Sequence, residues 1–331
     1  MTTEERFVRC KPKNRIAYGQ ILFGTFSLFC LLLLLKNADV AVSSMKEGLL
    51  LCAGTVVPSL FPFMVLSELI LSGNLLQRLL KKLTAPLQRI FHVSSAGCIA
   101  LLLGLLCGFP IGARCAVNAY DKGLLSKEET QHVLCFSGVP SSAFLINAVG
   151  LSLFHSRKIG VLLWGSVLLS ALLVGALFAW QTKKKEDLPY CENPLLTETA
   201  SGGAQLFTNA ISSATRGILL VCAYVVFFFT LAGALNAILQ GFCIPPLLQA
   251  LTFGGLELSA GVHQATRLFD RSVALPLCAF FAGWSGLSVH CQVMSVCEGR
   301  SFAFRKYFLA KLLQGFLCAL LCAFAMIFGK L

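Results

Sequence analysis

The chain has 331 residues, of which 56% are hydrophobic and only 13% charged, with a mean hydropathy of +0.78. That composition excludes a soluble globular domain and requires several membrane-spanning segments, since about 20 apolar residues cross a bilayer. The net charge of +12 does not imply nucleic-acid binding, because the Lys and Arg residues fall in short clusters between apolar runs, as loops of membrane proteins distribute them.

Arg6, Arg9, Lys11, Lys13 and Arg15 precede an apolar run from Ile21 to Leu35. An uncleaved first helix with a cytoplasmic N-terminus is expected, so that 1–47 form an N-terminal region. A first repeat is expected over 48–180 and a polar linker over 181–208, rich in Lys, Pro and Gly. A second repeat is expected over 209–331. Residues 74–89 put Leu75, Leu76, Leu79, Leu80, Leu83 and Leu87 on one face, with Arg78, Lys81, Lys82 and Arg89 largely elsewhere. This pattern suits an amphipathic helix on the inner leaflet or one packed under the bundle.

The run Cys107-Gly-Phe-Pro-Ile-Gly-Ala-Arg114 cannot be an ordinary lipid-facing helix. Gly108, Pro110 and Gly112 break it, and irregular backbone at membrane depth survives only inside protein or along a wet cavity. Arg114 at that depth marks a functional position. The same pattern recurs some 147 residues later. Residues 107–113 fall on Gly254-Gly-Leu-Glu-Leu-Ser-Ala260, Phe136-Ser-Gly138 on Phe281-Ala-Gly283, Asn147 on Gln292, and Arg157-Lys158 on Arg305-Lys306. The positive-inside bias is best met if 133–154 and 273–298 are re-entrant hairpins, turning at 138–142 and 283–286. Only Arg157 and Lys158 then lie on the wrong side. Each half crosses three times, so the repeats are inverted. The expected fold is an all-α multi-pass membrane protein of two inverted repeats, with broken helices and about seven crossings plus two hairpins. Such repeats are typical of secondary transporters.

Glu257 is the one acidic residue deep in an expected span, and it must be paired or protonated. It either couples H+ or Na+, accepts hydrogen bonds from a polar solute, or pairs with Arg114 across the pseudo-two-fold axis. The second hairpin gathers Ser285, Gly286, Ser288, His290 and Gln292, with Ser259 nearby. The first gathers Ser137, Gly138, Ser141, Ser142 and Asn147. Together with the motif at 108–114 these are the candidate solute- and ion-binding residues. The fifteen cysteines read as small hydrophobes in apolar runs, with no C-x-x-C pair or metal-ligand spacing. Neither a hydrolase elbow, a zinc-protease helix nor a phosphate loop occurs, so no enzyme, cofactor or metal is expected.

Gly108-Phe-Pro-Ile-Gly-Ala-Arg114 with Gly123-Leu-Leu-Ser-Lys-Glu-Glu129, Gly255-Leu-Glu-Leu-Ser259 and Gly286-Leu-Ser-Val-His-Cys-Gln-Val293, in that order, resemble the sporulation integral membrane protein YlbJ family. The resemblance covers about 48–328. It implies two nucleoside-recognition (Gate) domains, a transporter-like architecture in the bacterial cell membrane and a role in spore envelope or cortex formation. The implied activity is moving or sensing a small polar solute, nucleosides included. The alternative is a non-transporting assembly protein of the spore envelope, with other membrane proteins as partners.

Overall fold

The computed structural model describes residues 18–72, 84–180 and 203–328, and among these every regular element is helical. Most of the expected linker (181–202 of 181–208) and most of the amphipathic stretch 74–89 lie outside the described residues.

Helix α1 (Tyr18–Lys36) is followed after Asn37 by α2 (Ala38–Leu51), a wide turn π1 (Cys52–Val56) and α3 (Val57–Ser72). Pro58 has no N–H to donate one turn back, and the chain widens just before it, as π-type turns do. The span then runs on through Pro62. Next come α4 (Thr84–Phe91), α5 (Ser95–Cys107), α6 (Ile111–Asp121), α7 (Lys127–Phe136), a π-helical segment π2 (Phe144–Leu153) and α8 (Arg157–Ala179). The second half contains α9 (Gly203–Leu239), α10 (Pro246–Leu256), α11 (Leu258–Leu268), α12 (Arg271–Trp284), α13 (Gly286–Val296) and α14 (Phe304–Phe328). Among the described residues five stretches are long and apolar enough to cross a membrane: 38–69, 157–179, 203–239, 271–296 and 304–328. Their lipid-facing sides are rich in exposed Leu, Phe and Ile, including Leu219, Leu320 and Phe324, as expected when the solvent is hydrocarbon.

The two long opening spans run antiparallel. Ser44 lies against Gly233, Cys52 against Cys222 and Glu68 against Ser213. Steric closeness explains the glycines, since a Cβ on Gly48 would stand 3.4 Å from the Val226 backbone.

The hairpins are not where the charge pattern places them. Helices α5 and α6 fold back on each other at 108–110, and a Cβ on Gly112 would stand 2.9 Å from the Cα of Gly104. Likewise α10 and α11 fold back at Glu257, with Gly261 packed directly on Gly254. The expected hairpin segments 133–154 and 273–298 instead proceed as interrupted helices. The stretch from Arg271 to Val296 is one candidate span, despite the left-handed Ser285 and positive-φ Gly286 in its middle. Two polar contacts fix this reassignment. Asp121 pairs with Arg300, and Ser94 N–H donates to Glu129 at 2.5 Å. Both need 92–94, 121–129 and 298–303 on one side of the bilayer. A crossing at 98–119 would have separated them. The positive-inside bias groups Arg267 and Arg271 with Arg300, whereas the hairpin at 246–268 and the span 271–296 put them on the opposite side.

Candidate functional site

Each hairpin lays its tip on the interruption of the following helix. In the first half Phe109 N–H donates to the carbonyl of Val139 at 2.9 Å. Gly108, at φ 88°, approaches Ser141 so closely that a Cβ would stand 2.8 Å from its nitrogen; only glycine combines that φ with that contact. In the second half a Cβ on Gly286, at φ 80°, would stand 3.2 Å from the Cα of Glu257. The two tips come together on one narrow cleft of about 50 Å³, walled by α3, α9 and the interrupted helices. Its polar lining comes from Ser59, Ser141, Glu257, Ser259 and Gln292, and its apolar lining includes Phe109, Phe144, Val221 and Val225.

Glu257 is 3% exposed and ends α10 while starting α11. Its extended backbone (φ −147°, ψ 132°) turns the carboxylate onto the first turn of α11, where it accepts from Ala260 N–H at 2.7 Å. A carboxylate at a helix N-terminus satisfies a donor that the helix leaves free and meets the positive end of its dipole. Gln292, on α13, is 2% exposed, and its carbonyl oxygen has no hydrogen-bond partner. A buried acceptor left so costs on the order of 1–3 kcal/mol. A ligand donor in the cleft would remove that cost.

Four predicted residues thus line one cleft: Ser141, Glu257, Ser259 and Gln292. Gly108, Pro110 and Gly286 shape its walls from the backbone. The others act elsewhere. Gly112 and Ser137 are packing groups, since the Ser137 carbonyl and Cβ fill the space beside Gly104 and Gly112. Ser285 and Ser288 are buried, the latter 3.5 Å from the Gln292 amide nitrogen. Ser142 is half-buried and Asn147 exposed, its carbonyl accepting from Ser152. His290 Nδ1 lies 2.9 Å from the Tyr307 hydroxyl, with the ring packed on Trp284 and Phe308; it does not line the cleft.

The expected Arg114–Glu257 pair does not form. Arg114 instead pairs with Glu68 at 3.2 Å and donates to the Ser213 hydroxyl at 3.0 Å. The α6 arm carries it away from the tip, about one turn beyond Pro110, whereas the Glu257 carboxylate turns onto its own helix. Glu68 also accepts from Ser213 at 3.0 Å. The three bind hairpin 1 to α3 and α9 beside a small pocket that includes Ser67 and Asn118. Neither Glu68 nor Lys311 stands among the residues expected from sequence. Lys311 is 1% exposed. The signal was present, as Lys311 and Gln314 are polar residues three apart on one face of the otherwise apolar run 308–328.

Over 338 residues the chain is 25% identical to the sporulation integral membrane protein YlbJ of Bacillus subtilis (strain 168), covering 91% of this chain and 81% of that protein. No family model matches the chain, and no solved structure matches it. The shared length takes in both hairpins, both interrupted helices and the cleft between them: this multi-pass membrane protein is similar over most of its length to the sporulation integral membrane protein YlbJ.

Proposed function

We propose that the protein acts in sporulation as a transporter-like component of the bacterial cell membrane, with a cytoplasmic N-terminus, and that it moves or senses a small polar solute of nucleoside type. The observation that carries this reading is the cleft where both hairpin tips meet, with a buried carboxylate and an unpartnered amide oxygen on opposite elements. Glu257 would accept hydrogen bonds from sugar hydroxyls or base N–H groups. The Gln292 oxygen would accept another, and Phe109 and Phe144 would flank an apolar or aromatic face. The element order favours an inverted duplication. Hairpin, interrupted helix and full span follow a long helix in each half, and the two long helices are antiparallel. Rocking one half against the other would then open the cleft to alternate sides. The sporulation role rests on the similarity to YlbJ.

Purified protein in proteoliposomes should bind or take up labelled uridine or adenosine above protein-free vesicles. Glu257→Gln and Gln292→Ala should each lower that signal by roughly tenfold, the loss expected when a buried hydrogen-bond partner is removed. Absence of any nucleoside signal from correctly inserted wild-type protein would overturn the reading, as would variants equal to wild type.

A further inference from the structure

The interruption at 137–143 is held on one side by hairpin 1 and on the other by α14. The Gly138 carbonyl accepts a hydrogen bond from Nζ of Lys311, seven residues into α14. The second acceptor of that ammonium is Oε1 of Gln314, at 2.9 Å. Both acceptors are neutral, and neither ion pair found among the described residues includes Lys311. An ammonium enclosed in apolar helices is costly unless something offsets it. The offset on hand is α7, which ends at Phe136. Val133 O accepts from Ser137 N–H, the helix supplies no donor for the carbonyls after it, and the negative end of its dipole, about half an elementary charge, points at the interruption. Freed carbonyls at the C-terminal end of a discontinuous half-helix are where secondary transporters seat a coupling cation.

We infer that the Gly138 carbonyl and Gln314 Oε1 form a seat for a small monovalent cation, and that the Lys311 ammonium is its permanent, tethered occupant. The interrupted helix therefore needs no dissolved ion at this position. With the side chain truncated, the seat would accept a small ammonium ion of matching size. Lys311 does not line the cleft, so this assignment stands whether or not the cleft binds nucleosides.

The test uses thermal melting of the full-length protein in detergent at fixed ionic strength. Lys311→Ala should melt roughly 5 °C below wild type in choline chloride, and ethylammonium or propylammonium chloride should restore at least half of that loss. Propanol, which fills the same space without charge, should not restore it, and wild type should respond to neither. Lys311→Met keeps the length but not the charge, and should melt below wild type and stay insensitive to the amines. Equal rescue by propanol, no rescue by either amine, or Lys311→Met melting at or above wild type would each overturn the assignment. The Lys311→Met arm decides the matter if Lys311→Ala cannot be recovered from membranes.

Discussion

The two hairpins share a backbone and differ in chemistry. In each, a glycine pair, Gly104 with Gly112 or Gly254 with Gly261, lets the arms cross at backbone contact. In each, the tip rests on the interruption of the next helix. Yet hairpin 1 ends in Phe109-Pro110 and is anchored along its arm by the Arg114–Glu68–Ser213 network, while hairpin 2 ends in a carboxylate capping its own second arm. The interruptions differ in the opposite sense. The first faces an ammonium, Lys311, at the C-terminal end of α7; the second opens at Gly286, the N-terminal end of α13, beside Glu257. Each charge thus sits at the helix end of opposite partial charge. Packing demands glycine in both hairpins, whereas the charged groups are free to differ, which is where function is written.

The largest effect should come from the shared feature. Gly261→Val forces a branched side chain into the Gly254 backbone and should cost about 3 kcal/mol or more, seen as loss of monodisperse protein on extraction. Gly104→Val should behave alike. If hairpin 1 tolerates it, the two hairpins are not equivalent in packing. Removing the anchor unique to hairpin 1 comes next. Arg114→Ala leaves Glu68 with Ser213 alone, and with both charged side chains about one-fifth exposed the loss should be about 2 kcal/mol, read as a lowered melting temperature. Glu257→Gln keeps a capping oxygen and should cost only about 1 kcal/mol in melting, while cleft binding falls as described above. Equal losses of stability for Arg114→Ala and Glu257→Gln would erase the distinction between an anchoring charge and a ligand-facing one. Least of all, Arg300→Ala breaks the Asp121 pair at the surface and should change melting by less than about 1 kcal/mol, with the difference shrinking further at high salt.

The breaks themselves were legible from sequence. Gly108, Pro110 and Gly112 cannot continue a lipid-facing helix, and Glu257 within an apolar run signals a buried polar function. The direction of the chain after each break was not legible, because a helix that bends back and one that crosses have the same composition. The short 269–270 connection then let two arginines decide the topology wrongly. Contacts across the fold, such as Asp121 with Arg300, carry that information and leave no local trace. The same holds for partners. Arg114 and Glu257 looked like a pair because they were the conspicuous charges, whereas the true partner, Glu68, stood a helix away. Ser59, Phe109 and Phe144 joined the cleft for the same non-local reason, as ordinary residues of their own segments.

Substituted-cysteine labelling in a background cleared of native thiols tests the folding back of the chain most directly. Lys122→Cys and Glu298→Cys should react with an impermeant maleimide from one side of the membrane, and Arg157→Cys and Asp270→Cys from the other. Labelling of positions 122 and 298 from opposite sides would mean that 95–121 crosses the membrane, and would contradict the account.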